Sequence, residues 1–309
     1  MTNGTEAVLF DRKGAAASLR IAVGVATAAR PHLVINLLDT LGAQSRKPDA
    51  IFVCAPTPGD ISGLVQANRD VRVLTGVRGL TRQRNEILRH LVGFDVVIFL
   101  DDDFVPGRRY IECTGAVFAT RPDVVMTTGM VLADGILGPG LELAAAREML
   151  RSTGADGRCP MTTTDVYSAY GCNMGIRLAP VRTHGLAFDE DLPLYGWLED
   201  VDFSRGLARH GHVLKVAAAC GVHLGVKSGR QSGVRLGYSQ IANPVYLVRK
   251  GTCSPQRALY LMSRNVAANL VRMLRPEPYV DRLGRALGNG RALLDFVTGR
   301  LAPSRALSL

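Results

Sequence analysis

The sequence of 309 residues has no run of about 18 uncharged apolar residues, the length a helix needs to cross a bilayer. Met1 to Arg20 has no apolar core of signal-peptide type, so a cytoplasmic protein is expected. The 6 cysteines (Cys54, Cys113, Cys159, Cys172, Cys220 and Cys253) form no CxxC pair. They read as reduced cytosolic thiols, several of them buried, rather than as a disulfide framework or a zinc site. Low-complexity tracts and internal repeats are missing, and tryptophan occurs once, at Trp197. The loop after the first apolar run, Ala26 to Pro31, contains no glycine. A nucleotidyltransferase that makes nucleotide sugars would need a Gly-rich phosphate loop there, so that alternative is disfavoured.

Acidic counter-charge is scarce in one region only. The net charge is +10, yet Lys227 to Leu309 carries 14 Lys and Arg against 3 Asp and Glu, leaving the rest of the chain at −1. No recognised nucleic-acid motif or aromatic–basic interleaving accompanies this excess, so no nucleic-acid partner is expected. Basic helices with an amphipathic pattern suit the anionic face of a membrane better.

What is present is an alternation of short apolar runs and helical periods. Residues 1–18 read as a flexible lead-in. Leu19–Val25, Asp49–Cys54, Val71–Leu74 and Asp95–Leu100 read as buried strands. Between them fall a helix from Pro31 (Leu33, Val34, Leu37, Leu38, Leu41), a short helix near Ile61–Asn68 and a helix at Thr81–Leu91. A helix at Arg109–Thr120, a strand at Val124–Met130 and a helix at Glu142–Arg151 follow. Ser152–Thr164 reads as a mobile loop, Tyr170–Arg177 as extended chain, and Tyr195–Phe203 as the entry to a helix. The pattern is that of an α/β domain with a mostly parallel, Rossmann-like sheet.

The chemistry gathers at two acidic clusters. Asp101-Asp102-Asp103 ends a strand of the kind whose carboxyl edge collects ligands in open α/β sheets. Either it is a solvated acidic turn, or Asp101 and Asp103 converge on a hard cation, Mg²⁺ or Mn²⁺, that holds a diphosphate. Glu199, Asp200 and Asp202 stand at a helix start, where the macrodipole favours carboxylates whatever their function. Trp197 beside them is an aromatic plane suited to a sugar ring.

Five motifs, in order, resemble the inverting family 2 glycosyltransferases of the GT-A fold. They are Thr27-Ala-Ala-Arg30-Pro31 with Gln44; Gly79-Leu-Thr-Arg-Gln-Arg84-Asn85; Leu100-Asp-Asp-Asp103; Gly171-Cys-Asn173-Met174-Gly-Ile-Arg177; and Phe188-Asp-Glu190 followed by Gly196-Trp-Leu-Glu199-Asp200-Val-Asp202-Phe203. The resemblance spans residues 19–225 and implies a GT-A catalytic domain at 19–237, followed by a basic helical extension at 238–309. It implies a nucleotide-sugar donor, with UDP the first expectation and GDP or dTDP the alternatives, and a saccharide or lipid-linked acceptor. Asp200 is the expected base, with Glu199 orienting the acceptor or a loop. The expected metal ligands are Asp101, Asp103 and His223, the last being otherwise a core histidine. Thr27, Arg30, Arg84, Asn85, Asp101, Asp102, Lys227 and Arg230 are assigned to the donor, and Asn173, Met174 and Trp197 to the acceptor side.

One departure concerns the nucleobase. Many family members carry an acidic DDxS turn after the second strand, whereas this chain has Cys54-Ala-Pro-Thr-Pro-Gly-Asp60. A catalytically silent scaffold is the remaining rival, and the two intact carboxylate clusters speak against it. Helices at Pro255–Leu274 and Leu283–Val297 are expected either to pack on the catalytic domain or to bring residues 255–300 to the inner face of the plasma membrane.

Overall fold

The computed structural model describes residues 6–7, 19–61, 71–153, 160–227 and 232–309. Its strands in chain order are β1 (Glu6–Ala7), β2 (Ile21–Ala26), β3 (Ala50–Ala55), β4 (Val71–Thr75), β5 (Val96–Leu100), β6 (Phe104–Pro106), β7 (Val124–Asp134), β8 (Thr162–Asp165), β9 (Asn173–Arg177) and β10 (His212–His223). Its helices are α1 (Pro31–Gly42), α2 (Leu80–Arg89), α3 (Tyr110–Thr120), α4 (Leu143–Ser152), α5 (Leu178–Thr183), α6 (Glu199–Leu207), α7 (Gly233–Lys250), α8 (Pro255–Arg272) and α9 (Arg282–Val297).

The strands form one sheet in the order β1-β8-β10-β7-β9-β5-β2-β3-β4, with β6 paired to β10. β5, β2, β3 and β4 run parallel. β9 is antiparallel to both β5 and β7, so β7 runs the same way as β5, and β10 is parallel to β7. The carboxyl ends of β2, β5, β7 and β10 therefore meet at one edge, where Thr27, Asp101–Asp103, Asp134 and His223 stand.

Central β5 is covered on both faces. Val96, Ile98 and Leu100 join the core shared with Val34, Leu37 and Leu41 of α1 and with α3, while Val97 and Phe99 join the opposite core with Ile87 and Phe203. Helix α1 starts at Pro31, whose fixed φ suits a first helical position, and all five of its expected apolar residues are buried.

Several sequence expectations change. Of the lead-in 1–18, Glu6–Ala7 pairs with β8 at the sheet edge, and the rest lies outside the described residues. Pro58–Ile61 is a 3₁₀ turn in place of the helix start expected near Ile61, and residues 62–70 lie outside the described residues. Residues 162–164 of the expected mobile loop belong to β8, where Thr163 and Thr164 pair with β10 and Thr162 with Ala7 of β1. The 237/238 boundary lies within α7 (Gly233–Lys250), and residues at and just past its far end bond Asp189, in the loop before α6, and Asp202 on α6. There Lys250 Nζ donates to Asp189 and Asp202, Thr252 Oγ1 donates to Asp202 at 2.6 Å, and Tyr246 Oη donates to Asp189 at 2.8 Å.

Candidate active site

Each carboxylate at the strand edge has a distinct set of partners. Asp102 is buried; it accepts from Thr27 Oγ1 at 2.6 Å and pairs with Arg30 Nη2 at 3.0 Å. Burial pushes its carboxyl up to about 7, against the pull of Arg30. Thr27 and Arg30, both assigned to the donor, thus join the first loop to the acidic turn, and the Arg30 side chain keeps about a quarter of its surface open.

Asp101 and Asp103 flank Asp102 and converge with His223, their ligand atoms lying within 4.8 Å of one another. A single cation can reach all three, and the O,O,N donor set suits Mn²⁺ or Mg²⁺. His223 Nε2 lies 3.4 Å from Asp103 Oδ1, and its Nδ1 faces Asp134 Oδ1 at 2.9 Å. Burial alone would lower the His223 pKa; the carboxylates of Asp103 and Asp134 outweigh it and push the imidazole up to about 10. Asp103 is also a buried carboxyl, yet His223 and the backbone N–H of Val226, at 2.8 Å, hold it below its usual value. Asp134, which sequence reading did not single out, additionally accepts from Tyr170 Oη at 2.8 Å.

Arg84 joins this cluster to the second. Its guanidinium is buried beside the rings of Phe99 and Phe188. Nη1 bonds Glu199 Oε1, and Nη2 donates to Asp101 Oδ1 at 3.0 Å and to the Gly171 carbonyl at 2.8 Å. Asn85 donates to the Phe188 carbonyl and to Glu190 Oε1, each at 2.9 Å, and accepts from the Phe188 N–H at 2.8 Å. Arg84 and Asn85, assigned from the sequence to the nucleotide, are buried and bond protein groups.

Glu199 and Asp200 open α6, preceded by Leu198 at φ 73°. Among the described residues, the non-glycine residues with positive φ are Ala29, Leu194 and Leu198, all in loops of this edge. Such backbone costs about 1–3 kcal/mol per residue and persists only where its surroundings fix it. Burial pushes the Glu199 carboxyl up to about 8 against the pull of Arg84, and its Oε2 is buried with no hydrogen-bond partner among the described residues. Asp200, half-buried, accepts from the N–H of Gly171 at 2.9 Å and of Val201 at 2.8 Å. Burial raises its carboxyl pKa, these bonds opposing. A Cβ at Gly171 would crowd both carboxylates, lying 3.0 Å from Glu199 Oε1 and 3.4 Å from Asp200 Oδ2. Asp202, fixed by Lys250 and Thr252, is part of the scaffold.

The remaining assignments divide. Asn173 is fully buried, accepting from Thr128 Oγ1 at 2.5 Å and the Gly129 N–H at 3.0 Å, and Met174 is in the core. Both sit inside the sheet. Trp197 is half-buried, and its carbonyl accepts from Asn243 Nδ2 at 2.7 Å. Lys227 Nζ donates to the carbonyls of Gly135 and Ile136 at 2.8 and 3.0 Å. Arg230 lies outside the described residues. Asp60 binds protein groups: it accepts from Ala29 N at 2.7 Å, Thr57 N at 3.0 Å and Thr57 Oγ1 at 2.8 Å, fixing left-handed Ala29.

No family model matches the sequence, and no curated protein does. Solved structures do match. The fold is GT-A. A mannosyltransferase, PcManGT from Pyrobaculum calidifontis, in complex with GDP-Man and Mn²⁺, superposes with a TM-score of 0.50 at 15% identity, over 93% of this chain and 85% of that one. S. aureus TarS 1–349, in complex with UDP-GlcNAc, gives 0.56 at 15% identity, over 93% and 83%. GalNAc-T7, with UDP, GalNAc and Mn²⁺, gives 0.56 at 12% identity, and the match covers 91% of this chain but only 58% of that one. At these identities the likeness is one of fold.

Proposed function

We propose that this chain is a metal-dependent, inverting glycosyltransferase of family 2, transferring a sugar from a nucleoside-diphosphate donor to a hydroxyl of a saccharide or lipid-linked acceptor in polysaccharide or glycolipid assembly. One observation carries the reading: Arg84 bonds both Asp101 and Glu199, so the cation-type triad and the Glu199-Asp200 pair are built into one buried network at the carboxyl edge of a GT-A sheet. Two of the fold's neighbours hold Mn²⁺ with a nucleotide or nucleotide sugar, and this chain has the ligand set to do likewise.

Bound at Asp101, Asp103 and His223, Mg²⁺ or Mn²⁺ would supply a Lewis acid for the departing diphosphate. The chain's own residues supply the rest. Asp200 takes the proton from the acceptor hydroxyl as its oxygen attacks the anomeric carbon, because an alcohol's pKa is too high for prior ionisation. The new C–O bond forms on the face opposite the breaking one, and the electron pair leaves with the diphosphate. The raised pKa of Asp200 makes it a better proton acceptor than a free carboxylate. Arg84 keeps Asp101 and Glu199 in register, and Asp102, with Thr27 and Arg30, shapes the donor side. Trp197 is assigned to the acceptor, and Lys227 and Arg230 to the diphosphate when the donor is bound. A position on the inner face of the plasma membrane suits a lipid-linked acceptor, and no described helix is long and apolar enough to cross a membrane.

The test is a calorimetric screen of UDP-, GDP- and dTDP-sugars against the protein with Mn²⁺ or Mg²⁺. Metal-dependent binding of one nucleotide class, UDP first, is expected. No binding of any class with either metal would end the transferase reading.

A further inference from the structure

Helices α8 and α9 carry large apolar side chains on their outward faces. On α9 the buried positions are Arg282, Gly284, Gly288, Asn289, Ala292 and Asp295. The exposed ones include Leu283, Leu287, Leu294 and Val297, between 51% and 82% open and spaced so as to form one stripe along the helix. On α8 the buried positions are Ala258 and Asn269, whereas Leu270 and Val271, with Leu274 just beyond the helix, are 50% to 79% open.

The seam between the helices combines a small apolar cluster (Tyr238, Ile241, Ala242 and Ala292, with Met262 and Val266 against it) with a polar network. Asn269 Nδ2 donates to Gln240 Oε1 at 2.8 Å and to Asn289 Oδ1 at 2.9 Å, and Asn289 Nδ2 donates to the Gly237 carbonyl at 2.7 Å. Close backbone approach adds to it, since a Cβ at Gly237 would meet the Arg285 carbonyl oxygen at 2.1 Å. A helix in water buries its apolar stripe and exposes its polar one. Here apolar stripes also face outward, so they call for a non-aqueous neighbour.

Charge decides which neighbour. Every acidic group between residues 255 and 300 is engaged within the protein. Glu277 pairs with Arg272 and Arg282, Asp281 caps α9 through the Gly284 N–H, and Asp295 takes Tyr238 and Arg305. Exposed Arg264, Arg275, Arg291 and Arg300 lie along the same helices and their ends. A second copy would bring an equally basic face against this one, whereas an anionic bilayer offers phosphates to the arginines and hydrocarbon to the leucines.

We propose that the outward face of α8 and α9 docks on an anionic phospholipid surface, with Leu283, Leu287, Leu294 and Val297 entering the headgroup–acyl boundary. The proposal draws on the transferase reading only for its purpose, which is to set the site beside a lipid-linked acceptor. Docking itself needs no donor.

Flotation of the full chain with vesicles, without nucleotide, tests it separately from that reading. Wild type is expected to float with phosphatidylcholine–phosphatidylglycerol vesicles and at least tenfold less with phosphatidylcholine alone. Leu287→Glu combined with Leu294→Glu should cut flotation at least tenfold, and Leu270→Glu with Val271→Glu should do the same from the other helix. Circular dichroism and unchanged Mn²⁺ binding show that the variants remain folded. Two results would overturn the proposal: flotation that ignores both the anionic lipid and the glutamates, or a wild-type dimer by light scattering that the glutamates convert to monomer while no flotation occurs.

Discussion

His223 Nδ1 and Asp134 Oδ1 lie 2.9 Å apart, and this contact decides which imidazole nitrogen faces Asp103. A carboxylate on Nδ1 holds the proton there and leaves Nε2 for a cation, an outer contact of the kind that orients metal-binding histidines. Asp134→Asn should therefore weaken Mn²⁺ binding by roughly 10–100-fold in calorimetry, without changing the fold. Unchanged affinity would mean that His223 is positioned by packing alone.

Proton release should accompany that binding. Without a cation, the carboxylates of Asp103 and Asp134 push the His223 pKa up to about 10, so the imidazole is charged at neutral pH and its ion pairs stabilise the fold. That stabilisation is complete below the unfolded pKa and is lost as pH rises towards 10. A cation that takes Nε2 must displace the proton. Mn²⁺ affinity is thus expected to strengthen with pH, approaching tenfold per pH unit until about 10. Calorimetry in buffers of differing ionisation enthalpy counts the released proton, and a pH-independent affinity would exclude His223 as a ligand.

Arg84 bonds Glu199, Asp101 and the Gly171 carbonyl from a fully buried position. Arg84→Met strands the buried carboxylate of Glu199 and leaves partly exposed Asp101 without its guanidinium, and a loss of about 3–5 kcal/mol in urea unfolding is expected, as for other broken buried pairs. Arg84→Lys should recover little of it, because one ammonium cannot reproduce the fork. A loss below about 1 kcal/mol would show that the network reorganises around water.

Glu277, between Arg272 and Arg282, is held down to about 2 by these guanidiniums. Because its pKa is depressed on folding, its stabilisation is present above the ordinary glutamate value and fades as pH falls towards 2. Glu277→Gln should lower the melting temperature by a few degrees at neutral pH, and the gap to wild type should close on acidification. A gap that does not close would place the effect in packing instead of charge.

Much of the architecture could be read before folding. Runs such as Val96–Leu100 are β-branched, uncharged and buried on both faces, and Pro31 marks a helix start; such signals are local and survive into the structure. β10 was not foreseen, because Lys215-Val-Ala-Ala-Ala-Cys-Gly221 has little strand preference and owes its extension to pairing with β7, β8 and β6. Nor was α7, which contains Gly237 and Pro244 and is held by packing on α9. Within the site, the acidic motifs marked where charge gathers, and the Asp101–Asp103–His223 grouping follows their order. The burial of Arg84 and Asn85 was not legible, since it depends on Phe188 and Glu199 more than 100 residues away. Asp134 ends a strand with no motif around it, and only the parallel alignment of β7 with β10 brings it to His223.

The most direct measurement compares Asp103→Ala and Asp200→Asn with wild type, in Mn²⁺-dependent binding of the nucleotide sugar found by screening and in its slow transfer to water. Asp103→Ala should lose donor binding, while Asp200→Asn should bind donor as wild type does and turn over roughly 10²–10⁴-fold more slowly. Full turnover in Asp200→Asn, or donor binding that survives both metal removal and Asp103→Ala, would contradict the division of labour between the two carboxylate clusters.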